Sequence, residues 1–215
     1  MIDPSRSIPP EESRRRRVYR LPEEAIRVPR DSGGIYQICL RFPSDYELGL
    51  HHVEVNVETA SSHILKFLSE VLVLFGGLGL TGVLHTPSQG RHLQFQYAIK
   101  SERLDTKRST FQIEQFLRRS ILDATTARAV TQVLRMAFDV APPVYIGIAS
   151  RQSLGARLEQ HLAGKTGVGE RIKKLGLSWR YFEFRCTTLE SEAGTKLTDL
   201  EKLLQTIFKP QLSER

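Results

Sequence analysis

Apolar residues along this chain change period several times, and each change marks the boundary of an element. Val144, Ile146 and Ile148 alternate with Tyr145 and Gly147, which predicts a strand over 144–149 with the aliphatic side chains on one face and the tyrosine and glycine on the other. The period then lengthens, and 153–162 reads as a helix closed by Gly164. Trp179 to Cys186 reads as a further strand. A last helix runs through Leu189, Ala193, Leu197, Leu200, Leu204 and Ile207 and stops before Pro210.

The same reading applies upstream. Gly34 to Leu40, rich in Ile, Tyr and Cys, begins after a glycine pair and suits a strand. His52 to Glu58 alternates, with Val53, Val55 and Val57 on one side, and predicts a strand with one wet face. Ser62 to Phe75 has helical spacing, a serine to cap its start and Gly76-Gly77 to stop it. Gly79–His85 and Arg91–Ile99 flank a Pro87-Ser88-Gln89-Gly90 turn and predict a hairpin; 110–122 and 124–138 are again helical. The fold class is therefore α/β in the broad sense, an α+β chain.

Composition adds a frame. At 215 residues the chain can build one core, or a core with a second lobe. Residues 1–32 hold five prolines and the run Arg14-Arg15-Arg16-Arg17, which reads as a basic extended arm. Lys and Arg outnumber Asp and Glu by 31 to 24, a net charge of +7, and favour a polyanionic partner. From Val144 onward there are twelve basic against eight acidic residues, so positive charge collects there, while 33–143 is close to neutral. Cys39 and Cys186 show neither disulfide-framework nor zinc spacing, which makes a reducing cytoplasm the expected compartment. The N-terminus lacks the apolar run of a secretory signal, and the uncharged stretch 71–84 is too short for a bilayer, so no membrane partner is expected.

Several residues could carry chemistry. Arg157 and His161 are one helical turn apart and share a face, beside the strand bearing Tyr145. Glu201 falls among Leu200, Leu203 and Leu204, where a carboxylate is well placed only if it turns to a polar cleft. Each has an ordinary reading: a solvated helix face for Arg157 and His161, a strand aromatic for Tyr145, and for Glu201 the capping box spelled by Thr198-Asp199-Leu200-Glu201. Gly77-Leu78-Gly79-Leu80-Thr81-Gly82 matches GxGxxG, but a helix precedes it where a dinucleotide site needs a strand. His51, His52 and His63 with Glu54 and Glu58 have no recognised ligand spacing.

Taken together, Gly34-Ile35-Tyr36, Tyr145-Ile146-Gly147, Arg157, His161, Glu201 and Pro210 occur in an order and spacing that resembles the GIY-YIG nuclease superfamily. The match is densest from Val144 to Ser213. Two departures stand out. More than a hundred residues separate Tyr36 from Tyr145, whereas compact family members keep the two motifs close; this implies a catalytic domain of 33–43 with 144–215 and an inserted α+β lobe at 44–143. Ser213 stands where the family usually carries Asn.

The resemblance implies a small, mainly antiparallel sheet flanked by the helices that bear Arg157 and Glu201, and a metal-dependent DNA endonuclease that hydrolyses phosphodiesters. Glu201 would hold Mg²⁺ or Mn²⁺, Arg157 would stabilise charge on the phosphate, and Tyr36 would activate the attacking water. A free phenol has a pKa of about 10 and needs help to act as a base. Tyr145 and His161 are left between phosphate contact and proton management, with Gly34, Gly147 and Ser213 in support. Arg14, Arg15, Arg16, Arg17, Lys165, Lys173 and Lys174 are the expected DNA contacts. A restriction or defence role leads; a repair, recombination or mobile-element nuclease and a catalytically silent DNA-binding module are the alternatives. A homodimer is left open.

Overall fold

The computed structural model describes residues 16–51, 55–75, 79–81, 100–102, 106–188, 197–208, 210 and 212. Along the chain run β1 (Arg17–Arg20), β2 (Gly34–Leu40), α1 (Val57–Phe75), β3 (Gly79–Thr81), β4 (Lys100–Glu102), α2 (Thr106–Ser120), α3 (Ala124–Asp139), β5 (Tyr145–Ala149), α4 (Leu154–Leu162), α5 (Gly167–Lys174), β6 (Phe182–Thr188) and α6 (Leu197–Phe208). The chain divides into two compact units, one comprising Met1–Phe42 with Val133–Arg215 and the other Pro43–Gln132. It is an α+β protein.

The first unit is built on a four-stranded antiparallel sheet in the order β1-β6-β2-β5. Its register places Arg17 opposite Cys186, Cys186 opposite Tyr36, and Tyr36 opposite Gly147. Directly paired residues point to one face, so these four form a row across the whole sheet. Tyr36, Ile38, Phe182 and Phe184 are fully buried, and Tyr36 stacks on Phe184 with ring centroids 5.0 Å apart. Burial of each large apolar side chain contributes on the order of 1.5–3 kcal/mol, so this face anchors the first motif.

Helix α4 starts where the Ser153 hydroxyl accepts from the Ala156 N–H and buries Leu154, Leu158 and His161 at i, i+4 and i+7. Helix α5 follows after Gly164 and is capped by Thr166, whose hydroxyl accepts from the Gly169 N–H. The free edge of β5 is satisfied from the C-terminal side: Gln205 Nε2 donates to Ile146 O at 2.9 Å, and Leu212 N donates to Val144 O at 2.7 Å. This closes an exposed strand edge without another strand.

The structure departs from the sequence reading in several places. Residues 17–32, expected as part of an extended arm, belong to the first unit: β1 pairs with β6, Leu21 and Val28 are buried, and Pro29 O and Ser32 O accept from the amides of Gly155 and Leu154. Arginines on an edge strand can keep their charges in water, which is why the basic run conceals a strand. Val57 and Glu58, expected in a strand, open α1, because the Asn56 side chain accepts from the Thr59 N–H as a helix cap does. His52–Glu54 lie outside the described residues. Trp179–Tyr181 form a 3-10 turn ahead of β6. The expected turn at 87–90 and strand at 91–99, and Leu189 and Ala193 of the last helix, also lie outside them; on either side of 82–99, β3 pairs antiparallel with β4, Gly79 opposite Glu102.

In the second unit α1 buries Ala60, Ile64, Phe67, Val71 and Leu74 at a 3-4 spacing and packs against α2, where Leu117 is buried. Arg128 Nη2 reaches Leu50 O at 3.3 Å. Among the described residues no helix is long and apolar enough to cross a membrane.

Candidate active site

Tyr36 is delivered by the middle of β2 and is 0 % exposed. Its hydroxyl lies 2.7 Å from His161 Nε2 and accepts from Arg157 Nε at 3.3 Å. The 3.6-residue period sets Arg157 and His161 one turn apart on α4, so both reach the same phenol. Tyr145, on the neighbouring strand, brings its ring centroid to 6.0 Å from Tyr36 and 5.6 Å from His161. Two strands and one helix thus gather four of the residues singled out in the sequence.

Glu201 is the fifth. It sits in the second turn of α6, half-buried, with Gln205 Nε2 donating to Oε1 at 3.3 Å and the Ile148 backbone amide as a further partner. Its charge is felt by Tyr145, and the charge of Arg157 is felt by Glu201. The helix already runs at Thr198, so Glu201 is not the glutamate of a capping box begun there.

Glycine is required at 147. A Cβ there would lie 2.3 Å from the Tyr36 hydroxyl and 2.4 Å from its ring carbon Cζ. Gly34 meets a different neighbour, the Thr187 carbonyl, which would stand 2.2 Å from an added Cβ. Gly147 makes room for the Tyr36 hydroxyl; Gly34 lets β2 and β6 pair.

Electrostatics divide the cluster into an inner and an outer part. Burial pushes the Tyr36 phenol well above its ordinary range, helped by Tyr145 and opposed by Arg157. Burial, then the Arg157 charge, lower His161 to about 3, so the imidazole is neutral at physiological pH. Tyr36 and His161 are the enclosed, uncharged layer. Tyr145, Arg157 and Glu201 are partly exposed. Burial raises Tyr145, with Glu201 adding to it, and burial raises Glu201 against the pull of Arg157.

Three glutamines and a threonine support these groups and were not singled out in the sequence. Arg157 Nη1 donates to Gln160 Oε1 at 3.1 Å, and Gln160 Nε2 donates to Gln152 Oε1 at 2.7 Å. Gln205 holds both the β5 edge and Glu201. Thr166 Oγ1 lies 2.6 Å from His161 Nδ1. Their only sequence signal is position: Gln160 and Thr166 flank His161, and Gln205 is one turn beyond Glu201.

Among the described residues no group of three or more His, Cys, Asp and Glu could enclose a metal. The donor chemistry here is one hard carboxylate, Glu201, on a partly exposed surface. That set fits a cation such as Mg²⁺ that keeps most of its waters, and does not fit a zinc-type cage.

The remaining expected contacts are scattered. Lys165, Lys173 and Lys174 are exposed around α5, and Arg16 and Arg17 are exposed at β1, with Arg16 Nη2 donating to Gln37 Oε1 at 3.0 Å. Arg14, Arg15 and Ser213 lie outside the described residues. Compared with protein-family models, curated proteins and solved structures, the chain finds no match.

Proposed function

We propose that this protein is a metal-dependent DNA endonuclease of the GIY-YIG type, hydrolysing phosphodiester bonds. The observation that carries the reading is the hydrogen-bonded assembly of Tyr36 with His161 and Arg157, within electrostatic reach of Tyr145 and Glu201. Five side chains from positions 36 to 201 converge on one place, and they include a proton path, a fixed cation and a carboxylate, which phosphodiester hydrolysis uses.

The DNA phosphate binds against the outer layer, with Arg157 countering the charge that grows on its oxygens. Glu201 is the residue that would hold Mg²⁺ or Mn²⁺, which when bound acts as a Lewis acid on the phosphate. Attacking water gives its proton to Tyr36 Oη while the phenolic proton passes to His161 Nε2. The resulting hydroxide forms the new P–O bond as the bond to the leaving oxygen breaks. Because the phenol gains one proton as it loses another, it never has to ionise in its buried position. The imidazolium so formed is disfavoured beside Arg157 until a phosphate brings negative charge, which ties proton transfer to occupied DNA.

A binding-only module is the second reading, favoured by the complete enclosure of Tyr36. Incubating supercoiled plasmid with Mg²⁺ or with chelator separates the two. Metal-dependent nicking by the parent, lost in Glu201→Ala and reduced in Tyr36→Phe, supports the nuclease. DNA binding without cutting, unchanged in Glu201→Ala, supports the module. Plasmid, branched and single-stranded substrates compared side by side then sort a restriction or defence role from repair, recombination or mobile-element roles.

A further inference from the structure

We infer that Thr166 is a positioning residue for the proton path, holding His161 in the tautomer that carries its hydrogen on Nδ1 and leaves Nε2 free to accept from Tyr36. The inference rests on the nuclease reading for its consequence, but not for its geometry.

His161 is 0 % exposed, so both ring nitrogens must find partners within the protein. They have one each: Nε2 is 2.7 Å from the Tyr36 hydroxyl and Nδ1 is 2.6 Å from Thr166 Oγ1. The Tyr36 oxygen already accepts from Arg157 Nε. With the Tyr36 hydrogen placed on this nitrogen, and not on the Tyr145 hydroxyl that also bonds it, a neutral imidazole that accepts at Nε2 must donate at Nδ1. Thr166 Oγ1 is the acceptor that this requires.

Thr166 is itself held in place. Its hydroxyl oxygen accepts from the Gly169 N–H as the cap of α5, which aims one lone pair along that helix and leaves the other for His161. The two helices approach so closely that a Cβ on Gly169 would stand 2.3 Å from His161 O. Helix α5 therefore serves as a fixed bracket behind the histidine. Serine can replace Thr166 in this role, since it keeps the hydroxyl; valine cannot, although it has nearly the same shape.

The test is two-bond proton–nitrogen correlation on protein with ¹⁵N-labelled histidine, the His161 signals being assigned by their loss in His161→Gln. Wild type should show a single tautomer with the proton on Nδ1. Thr166→Val should shift His161 toward the Nε2–H form, and Thr166→Ser should restore the original pattern. A lost helix cap lowers the melting temperature but does not move a tautomer, so the spectra, taken well below melting, isolate the positioning role. An Nε2–H tautomer in wild type, or an unchanged tautomer in Thr166→Val, overturns the inference.

Plasmid cutting supplies the second arm. Thr166→Val should lower kcat by about 10- to 100-fold, the size seen for outer partners of metal-bound histidines, while KM stays within about twofold because ground-state binding is untouched. Equal kcat in wild type and Thr166→Val removes the positioning role and leaves the nuclease reading standing. A wild type that cuts nothing removes the nuclease reading, and the nitrogen spectra then decide the role of Thr166 by themselves.

Discussion

Tyr36 and Gly147 face each other across the β2–β5 pair, and the Tyr36 hydroxyl occupies the volume that any side chain at 147 would need. The glycine of the second motif is thus a spatial complement of the tyrosine of the first. That relation links two segments separated by the whole second unit.

Gly147→Ala should accordingly push Tyr36 off its contacts with His161 and Arg157. Overpacking of this kind costs about 1–3 kcal/mol, which in a protein of this size lowers the melting temperature by about 2–4 °C per kcal/mol. Thermal denaturation measures it. A melting temperature equal to wild type would mean that the packing at this pair is not as described.

His161 sets a pH dependence of stability. Its folded pKa of about 3 lies below the ordinary value near 6.5, so between those limits the unfolded chain binds the extra proton. Stability from this residue is complete above about pH 6.5 and falls as the pH drops toward 3, by at most about 1.4 kcal/mol per pH unit. Glu201, raised by burial, works in the opposite sense, and the two tyrosines matter only in alkali. Melting temperatures taken from pH 7.5 down to 4.5 should decline more steeply in wild type than in His161→Gln. Parallel curves would contradict a buried neutral histidine.

Arg157→Ala should lower kcat for plasmid nicking by about 10²- to 10³-fold, the range for removal of one donor to developing charge. Arg157→Lys should recover little of this, because the Nε contact to Tyr36 and the Nη1 contact to Gln160 need a guanidinium fork. Full activity in the lysine variant would reduce the role of Arg157 to that of a point charge.

Lys165, Lys173 and Lys174 form an exposed cationic group on and before α5. If they contact phosphates, each replacement by alanine weakens DNA binding evenly across sequences and lowers the slope of log K against log salt by about one. Titrations at several salt concentrations give that slope directly. An unchanged slope in the triple variant would place the DNA elsewhere.

Part of this site was legible from strong periodicities, while Tyr36 and Glu201 were singled out by the resemblance to the GIY-YIG motifs. Val144, Ile146 and Ile148 fixed which way Tyr145 and Gly147 point, and the i, i+4 spacing of Arg157 and His161 fixed their common face. What stayed hidden had weaker local signals. Helix α5 is eight residues long and has glycines at 167 and 169, so propensity argues against it and only the cap and the packing of Val168 and Ile172 sustain it. Strand β1 lies within an arginine run and is defined by its partner β6. The enclosure of Tyr36 is a tertiary fact: no local pattern says that Phe184 will stack on one side of it and α4 close over its hydroxyl.

The docking of α6 along β5 has a temporal consequence. During synthesis the tyrosines, Arg157 and His161 all leave the ribosome before Glu201 does, and the carboxylate arrives with the C-terminal segment that Gln205 and Leu212 tie to the backbone of 144–146. A nascent or prematurely terminated chain ending before α6 would hold Arg157 yet have no Glu201 near it. The order of translation therefore completes the five-residue cluster last.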